Sequence, residues 1–402
     1  TMPDEPSLQE ARLEMMGLLG PTLFALRGPG SREVEELYAG AFALCQRLQE
    51  ARSHFPIYWG WWRIARDFHV KQQRADELLQ RARRRKDPEL LLQAHHCSWA
   101  SAFSAGALCD CATHIDRGLE IYAQGDFRDH AVLYGNHDAK TCGHGERAFL
   151  MWHRGSPARA WSEHRLALAW ARQLDHLGTH FHLADMGLVL GFYCRDEAQV
   201  LANAVRLIIQ AEERGFTDYR ARGLIFKGWA QALAGEVQAG RASIEAGLAH
   251  QHDTGTYEDM PLYYAMLAEV LLRVGEPDAA AAQLAGARKM LESKGVAIWM
   301  PELLRWTGKL HHGAGNSGAD PALACFSAAL MLAESQGSTA LALRARIEAA
   351  RTLMAGDRLT EASDWLDPAL RDHPDERGNP DRDSAEALLK SIRQLLDRGA
   401  GA

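Results

Sequence analysis

Histidines crowd one stretch of this chain. His95, His96, His137, His144, His153, His164, His180 and His182 stand there, with Cys142 and the carboxylates Asp138 and Glu146 among them. Imidazole, thiol and carboxylate are the donors that hold zinc, iron, copper or a haem. The linear spacings that usually announce such sites are missing: there is no His-Glu-x-x-His, no Cys-x-x-Cys and no Cys-x-x-Cys-His. A metal or haem site would have to be assembled by the fold, from His96, His137, Asp138, Cys142, His144 and His153. The competing reading is structural. His95, His144 and His164 fall at packing positions where a buried imidazole needs only a hydrogen-bond partner, and Asp138 suits the N-cap of the helix that follows it.

Other chemistries find less support. Ser98, Ser101 and Ser104 lie on a helical pattern, and no Gly-x-Ser-x-Gly elbow is present. Gly313-Ala314-Gly315-Asn316-Ser317-Gly318 satisfies Gly-x-Gly-x-x-Gly, but a helix precedes it where a dinucleotide site needs a strand, so it reads as a turn between helices. The basic run Arg81, Arg83, Arg84, Arg85 and Lys86 precedes Asp87-Pro88 and reads as a solvated helix end, where cations complement the helix dipole. Trp59, Trp61 and Trp62 read mostly as packing of the first repeat, with one ring facing inward.

The elements that must position these residues are helices. Turns followed by helix signatures recur at Gly155, Gly235, Gly275 and Gly356, with weaker ones near 195 and 315, a period of about 40 residues. The clearest unit, residues 261–295, sets Tyr264, Leu267, Ala268 and Leu271 on one helix face against Ala280, Leu284 and Ala287 on the next. Small residues at Ala268 and Ala280 allow the close approach of a tetratricopeptide helix pair. The code repeats at Gly228 and Gly240, Gly308 and Ala322, and Ala350 and Ala362, and more loosely at Ala148 and Ala160 and at Leu188 and Ala204. The expected architecture is an all-α, right-handed solenoid of about eight tetratricopeptide-like helix pairs. Residues 1–12 are expected to be a loose N-terminus, 13–372 the solenoid, 373–383 a linker and 384–398 a capping helix.

Counting inner-face positions from the small anchors gives a concave groove of His96, Phe103, Phe149, Trp152, His182, Asp185, Tyr193, Arg222, Trp229 and Glu269. Aromatic anchors would bury a ligand there, while Asp185, Arg222 and Glu269 would fix its polar groups.

Composition narrows the partners. Of 402 residues, 47% are hydrophobic and 24% charged, as in an ordinary globular protein, and the 18 His and 11 Trp are the unusual numbers. A net charge of −7 lacks the basic face that nucleic acid requires. No apolar run is long enough for a membrane span, and no signal peptide opens the chain. The 7 cysteines are irregularly spaced, which fits a reducing, cytoplasmic address.

Four segments carry a family resemblance: Gly20-Pro21-Thr22-Leu23-Phe24-Ala25-Leu26-Arg27-Gly28, Val34-Glu35-Glu36-Leu37-Tyr38, Pro88-Glu89-Leu90-Leu91-Leu92-Gln93-Ala94-His95-His96 and Tyr134-Gly135-Asn136-His137-Asp138. They resemble the tetratricopeptide-like C-terminal region of large bacterial signalling proteins, in which a nucleotide cyclase or other effector domain precedes a P-loop ATPase and then this region. The resemblance spans about Leu13 to Leu396 and implies a sensing or scaffolding role with no assigned enzymatic activity. No Gly-x-x-x-x-Gly-Lys-Ser/Thr is present, so the chain is either part of a longer protein or a stand-alone relative that keeps only the solenoid. The expected function is a non-enzymatic bacterial signalling module binding a protein partner, peptide or small molecule, with no cofactor. The alternative is an enzyme or sensor dependent on a transition metal or haem.

Overall fold

The computed structural model describes residues 6–313, 315, 318–372 and 378–400. Among them the chain is helical, without strands. The first helices are α1 (Pro6–Arg27), α2 (Arg32–Cys45), α3 (Phe55–Arg63) and α4 (Phe68–Arg85). Next come α5 (Pro88–Ser104), α6 (Leu108–Tyr122), the single turn α7 (His130–Leu133), α8 (Ala139–His153) and α9 (Pro157–Leu174). The middle of the chain forms α10 (Leu177–Tyr193), α11 (Glu197–Arg214), α12 (Thr217–Leu233), α13 (Val237–Thr254), α14 (Met260–Arg273) and α15 (Pro277–Lys294). Last are α16 (Met300–His312), α17 (Ala319–Gln336), α18 (Thr339–Ala355), α19 (Leu359–Asp372) and α20 (Pro380–Ala400). From α3 to α19 these make a right-handed solenoid of eight tetratricopeptide-like pairs, and α20 caps it by packing on α18 and α19.

The two helices of a pair differ as their sequences require. Outer helices bury one stripe: α11 buries only Val200, Ala204, Leu207 and Ala211, and α15 only Ala280, Leu284, Ala287 and Leu291. Inner helices such as α10 and α14 are covered on nearly every side. The small-residue code lies at the crossings, where Ala160, Ala204, Ala280, Ala322 and Ala362 are fully buried. Gly228 and Gly240 bring the backbones of α12 and α13 so close that a methyl on either would collide with the other's carbonyl oxygen.

The rhythm is finer than 40 residues. Gly155, Asp175, Arg195, Gly215, Gly235, Gly255, Gly275, Gly295 and Gly315, each 20 after the last, all have positive φ. One left-handed residue thus follows each helix from α8 to α16 and reverses the chain.

The superhelix then closes on itself. Thr217 donates to the Leu26 carbonyl at 3.2 Å, Lys71 to Glu258 at 2.8 Å and the Ala297 amide to the Ser104 carbonyl at 2.9 Å. Further along, His153 bonds Ser338 at 2.8 Å and Arg344 donates to the Tyr193 carbonyl at 2.6 Å. Several of these contacts join residues 185 to 191 apart, so a turn of the solenoid takes roughly five repeats.

Two boundaries differ from expectation. Residues 6–12 are helical rather than loose, because Glu10 accepts from buried His54 and Leu13 packs in the core; residues 1–5 lie outside the described residues. The capping helix starts at Pro380, not Ser384, because the Asn379 side chain caps the amides of Asp381 and Arg382. Of the expected linker, 373–377 lie outside the described residues, as do 314, 316 and 317 of the glycine-rich turn.

Gly228→Ala should therefore destabilise the protein by about 1–3 kcal/mol in urea unfolding, since two helices must separate. Gly286→Ala, on the open face of α15 with nothing within 4 Å of its new methyl, should stabilise it by about 0.5–1 kcal/mol.

Candidate ligand cavity

The tight winding leaves a cavity of about 180 Å³ on the inner side of the solenoid. Its wall draws on α1, α3, α4, α5, α8, α10 and α12, and on the loops before α8, α14 and α16. Helices far apart in sequence thus meet around one small space.

One corner is built of imidazoles and a thiol. His96 on α5 is buried, stacks on Trp99 at 4.6 Å and meets Trp59 edge-on. His137 comes from the loop before α8, where Gly135 and Asn136 both have positive φ and a side chain on Gly135 would run into Trp59. The two Nε2 atoms are 3.1 Å apart. Cys142, on the first turn of α8, adds its sulfur, so that one atom from each residue lies within 4.8 Å of the others. His182 of α10 stacks on His137 at 4.0 Å, and its buried Nε2 has no partner. Burial lowers the basicity of all three imidazoles, His137 to about 4, and with the charge of Glu146 raises the Cys142 thiol well above its ordinary value.

The opposite side is ionic. Arg222 lies among carboxylates, donating to Asp218 at 3.1 Å, Asp185 at 3.1 Å and Asp259 at 2.8 Å, and to the Tyr263 hydroxyl at 3.2 Å. Glu258 takes Lys71 at 2.8 Å and Arg63 at 2.9 Å. Burial alone would raise Glu258, but these two cations outweigh it and hold its carboxyl well below the usual range. Burial raises Asp185 to about 6 against the pull of Arg222. It raises Glu146 to about 8, helped by the charges of Glu258 and Asp259. Glu146 Oε2 and Asp185 Oδ1 are buried without partners, as are Trp59 Nε1 and Trp299 Nε1 on the same wall. The wall carries Arg63, Lys71 and Arg222 against five carboxyl groups, so acid is in excess.

Of the groove residues read from sequence, His96, Phe103, Phe149, His182, Asp185 and Arg222 line this cavity. Trp152, Tyr193, Trp229 and Glu269 do not. Trp152 stacks on Tyr193 at 4.3 Å beneath Arg344, a packing contact between superhelical turns. Trp229 donates to Glu269 at 3.0 Å, and Arg195 holds the same carboxylate. Glu269 borders a separate, more open pocket with Arg195, Arg305 and Lys309. Of the metal candidates, His96, His137 and Cys142 come together. Asp138 is consumed as the N-cap of α8, accepting from Thr141, Tyr122 and Trp170. His144 pairs with Glu163 at 2.8 Å and His153 with Ser338, both elsewhere. His95 meets His114 at 2.9 Å, and His164 is buried against Trp161. Sequence reasoning missed Lys71, Asp218, Glu258, Asp259 and the lining role of both Trp59 and Trp62, which closure of the superhelix brings to the wall.

No family model matches the chain. An uncharacterized protein of Rhizobium meliloti (strain 1021) is 30% identical over 347 residues, 86% of this chain and 34% of that protein. The chain thus spans about a third of the curated relative it matches. Among solved structures, a Rap protein complexed with competence and sporulation factor matches with TM-score 0.58 at 9% identity, over 96% of this chain and 99% of that one. This likeness establishes the shared fold. A signal transduction ATPase with a tetratricopeptide repeat sensor from Pyrococcus horikoshii aligns over 92% of this chain and 54% of its own, with TM-score 0.41 and 10% identity. Among the described residues no helix is long and apolar enough to cross a membrane.

The raised Glu146 carboxyl has a measurable consequence. Its neutral form is favoured in the fold, so its contribution to stability is complete below the ordinary value of 4.5 and is lost as pH rises towards 8. Glu146→Gln cannot ionise. It should gain on the parent protein across that window, by about 2 kcal/mol at pH 8 given the partial exposure of the residue, read from urea unfolding at several pH values.

Proposed function

We propose that this chain is the ligand-receiving region of a bacterial regulatory protein, taking a small amine into the inner cavity of a tetratricopeptide-like solenoid. The observation that carries this reading is the pair of unpartnered buried oxygens, Glu146 Oε2 and Asp185 Oδ1, on a wall where acid exceeds base. Buried acceptors without donors are costly, and a ligand that brings positive N–H groups relieves them. Phe103, Phe149 and Trp62 would cover its apolar part.

Size favours small occupants of this cavity over the larger ones left open by the sequence. A helical segment is about 10–12 Å across, and neither it nor a partner domain enters 180 Å³. The volume also argues against a haem, lying below the roughly 300–1,000 Å³ of pockets for drug-sized ligands. A small amine, or the amino terminus of a peptide, fits. The solved Rap protein, whose fold this chain shares, is seen with a bound factor, which supports ligand reception as the use of the fold. The relative, of which the matched region is about a third, and the resemblance to cyclase and ATPase proteins support a place beside an effector.

The test is calorimetric titration with butylamine and 1,4-diaminobutane, alongside thermal unfolding. At least one amine should bind, raise the Tm and bind less to Glu146→Gln and Asp185→Asn. Because the cation favours ionised Glu146, affinity should climb by up to roughly tenfold per pH unit below about pH 8. Absence of binding by both amines, or binding indifferent to both substitutions, would overturn the reading.

A further inference from the structure

The two facing nitrogens of His96 and His137 are both bare, as their partners show. Glu89 can only accept, so His130 Nε2, 3.3 Å from its carboxylate, carries a proton. His130 Nδ1 is then a lone pair, and Gln93 Nε2 donates to it at 3.1 Å. That orientation turns Gln93 Oε1 towards His96 Nδ1, 3.2 Å away, which must donate. His96 therefore presents an unprotonated Nε2 to the cavity. On the other side His137 Nδ1 donates to the Gly135 carbonyl at 3.0 Å, leaving its Nε2 unprotonated too. Two lone pairs thus point at one another across 3.1 Å with no hydrogen between them. Left alone, such a contact is repulsive, yet a hydrogen-bond chain from Glu89 and a two-residue left-handed turn both enforce it.

We propose that His96, His137 and Cys142 form a zinc site, with its fourth position open to the cavity. A metal ligated by one imidazole nitrogen while the other donates to a carbonyl or carboxamide is the arrangement that fixes tautomer and ring orientation at metal centres. Tetrahedral zinc with Zn–N of about 2.05 Å separates two nitrogens by about 3.3 Å, close to the 3.1 Å found. Cys142 Sγ lies within the 4.8 Å span of the set; a tetrahedral site needs about 3.6 Å from sulfur to each nitrogen, so the thiol side closes in when the ion binds. Two imidazoles and one thiolate suit zinc over hard cations, which prefer oxygen. Binding releases the thiol proton to solvent, and the Zn–S bond takes its place. The buried, partnerless Nε2 of His182, stacked on His137, is a second observation pointing to the same corner. The site does not depend on the amine reading, since its ligands are different residues.

Cobalt(II) is the probe, added to the 402-residue chain prepared without a metal-affinity column and stripped with chelator. One equivalent should bind tightly, giving the strong visible bands of tetrahedral cobalt and a thiolate-to-cobalt charge-transfer band, and zinc should displace it. His96→Ala and His137→Ala should weaken binding at least about tenfold, Cys142→Ser should abolish the charge-transfer band, and His144→Ala and His153→Ala should leave both unchanged. Parent protein that takes up no cobalt overturns the proposal whether or not the variants fold. So does cobalt whose spectrum survives in folded His96→Ala, His137→Ala and Cys142→Ser, or disappears in His144→Ala.

Discussion

Lys71 is an ammonium with 1% of its side chain exposed, and its partner Glu258 stands 187 residues away. A buried charge costs several kcal/mol unless it is paired and hydrogen-bonded. The pair therefore forms only if every repeat between α4 and α14 keeps its pitch. Arg63 on the same carboxylate, Thr217 on the Leu26 carbonyl and Ala297 on the Ser104 carbonyl fasten neighbouring points of that closure. An ordinary solenoid touches only its neighbours and tolerates drift in its curvature. This one cannot, because drift would strand a buried lysine away from both water and its carboxylate.

The regular 20-residue spacing of left-handed turns is what makes that pitch reproducible, and it was only half legible in the sequence. Glycine at 215, 235, 255, 275, 295 and 315 announces it, but Asp175 and Arg195 hold the same conformation without the residue that signals it. The helix pairs were legible for a simpler reason. Small residues at Gly228, Gly240, Ala268 and Ala280 act within one pair, so spacing along the chain is enough to find them. The cavity was legible only in part. Counting inner positions picks out His96, Phe103, Phe149, His182, Asp185 and Arg222, which line the cavity, because they face the inside whatever the curvature. It cannot separate them from Trp152 and Tyr193, which also face inward but meet Arg344 of the next superhelical turn, or from Trp229, which is tied to Glu269 of the adjoining repeat. Nor can it find Lys71, Glu258 or Asp259, whose place depends on how far the superhelix has rotated after roughly five repeats.

The interior is a polar network left incomplete on one side. Around Arg222 the polar groups are nearly all engaged, since Nε donates to Asp218 and the two hydrogens of one Nη are shared among Asp185, Asp259 and Tyr263. Towards the centre they are not. Glu146 Oε2, Asp185 Oδ1, His182 Nε2, Trp59 Nε1 and Trp299 Nε1 have no protein partner and border a single space. A half-satisfied buried network is less stable than an apolar core of the same shape. Its concentration in one cavity, beside outer helices that pack Ala, Leu and Ile to completion, places that instability where a ligand can relieve it.

That geometry also says how occupancy would be felt. A ligand in the cavity touches α5, α8, α10 and α12 directly, and through Glu258 and Trp299 it touches the segments that close the superhelix. Binding energy gained there cannot be separated from the energy of closure, since opening the turn moves opposite walls apart. A ligand preferring the closed form a hundredfold shifts the balance of closed and open forms by about 2.7 kcal/mol, comparable with the net worth of a few buried hydrogen bonds such as those at Ser104, Ser338 and Tyr193. The same contacts that shape the cavity therefore set the threshold at which filling it would favour the closed array over an open one.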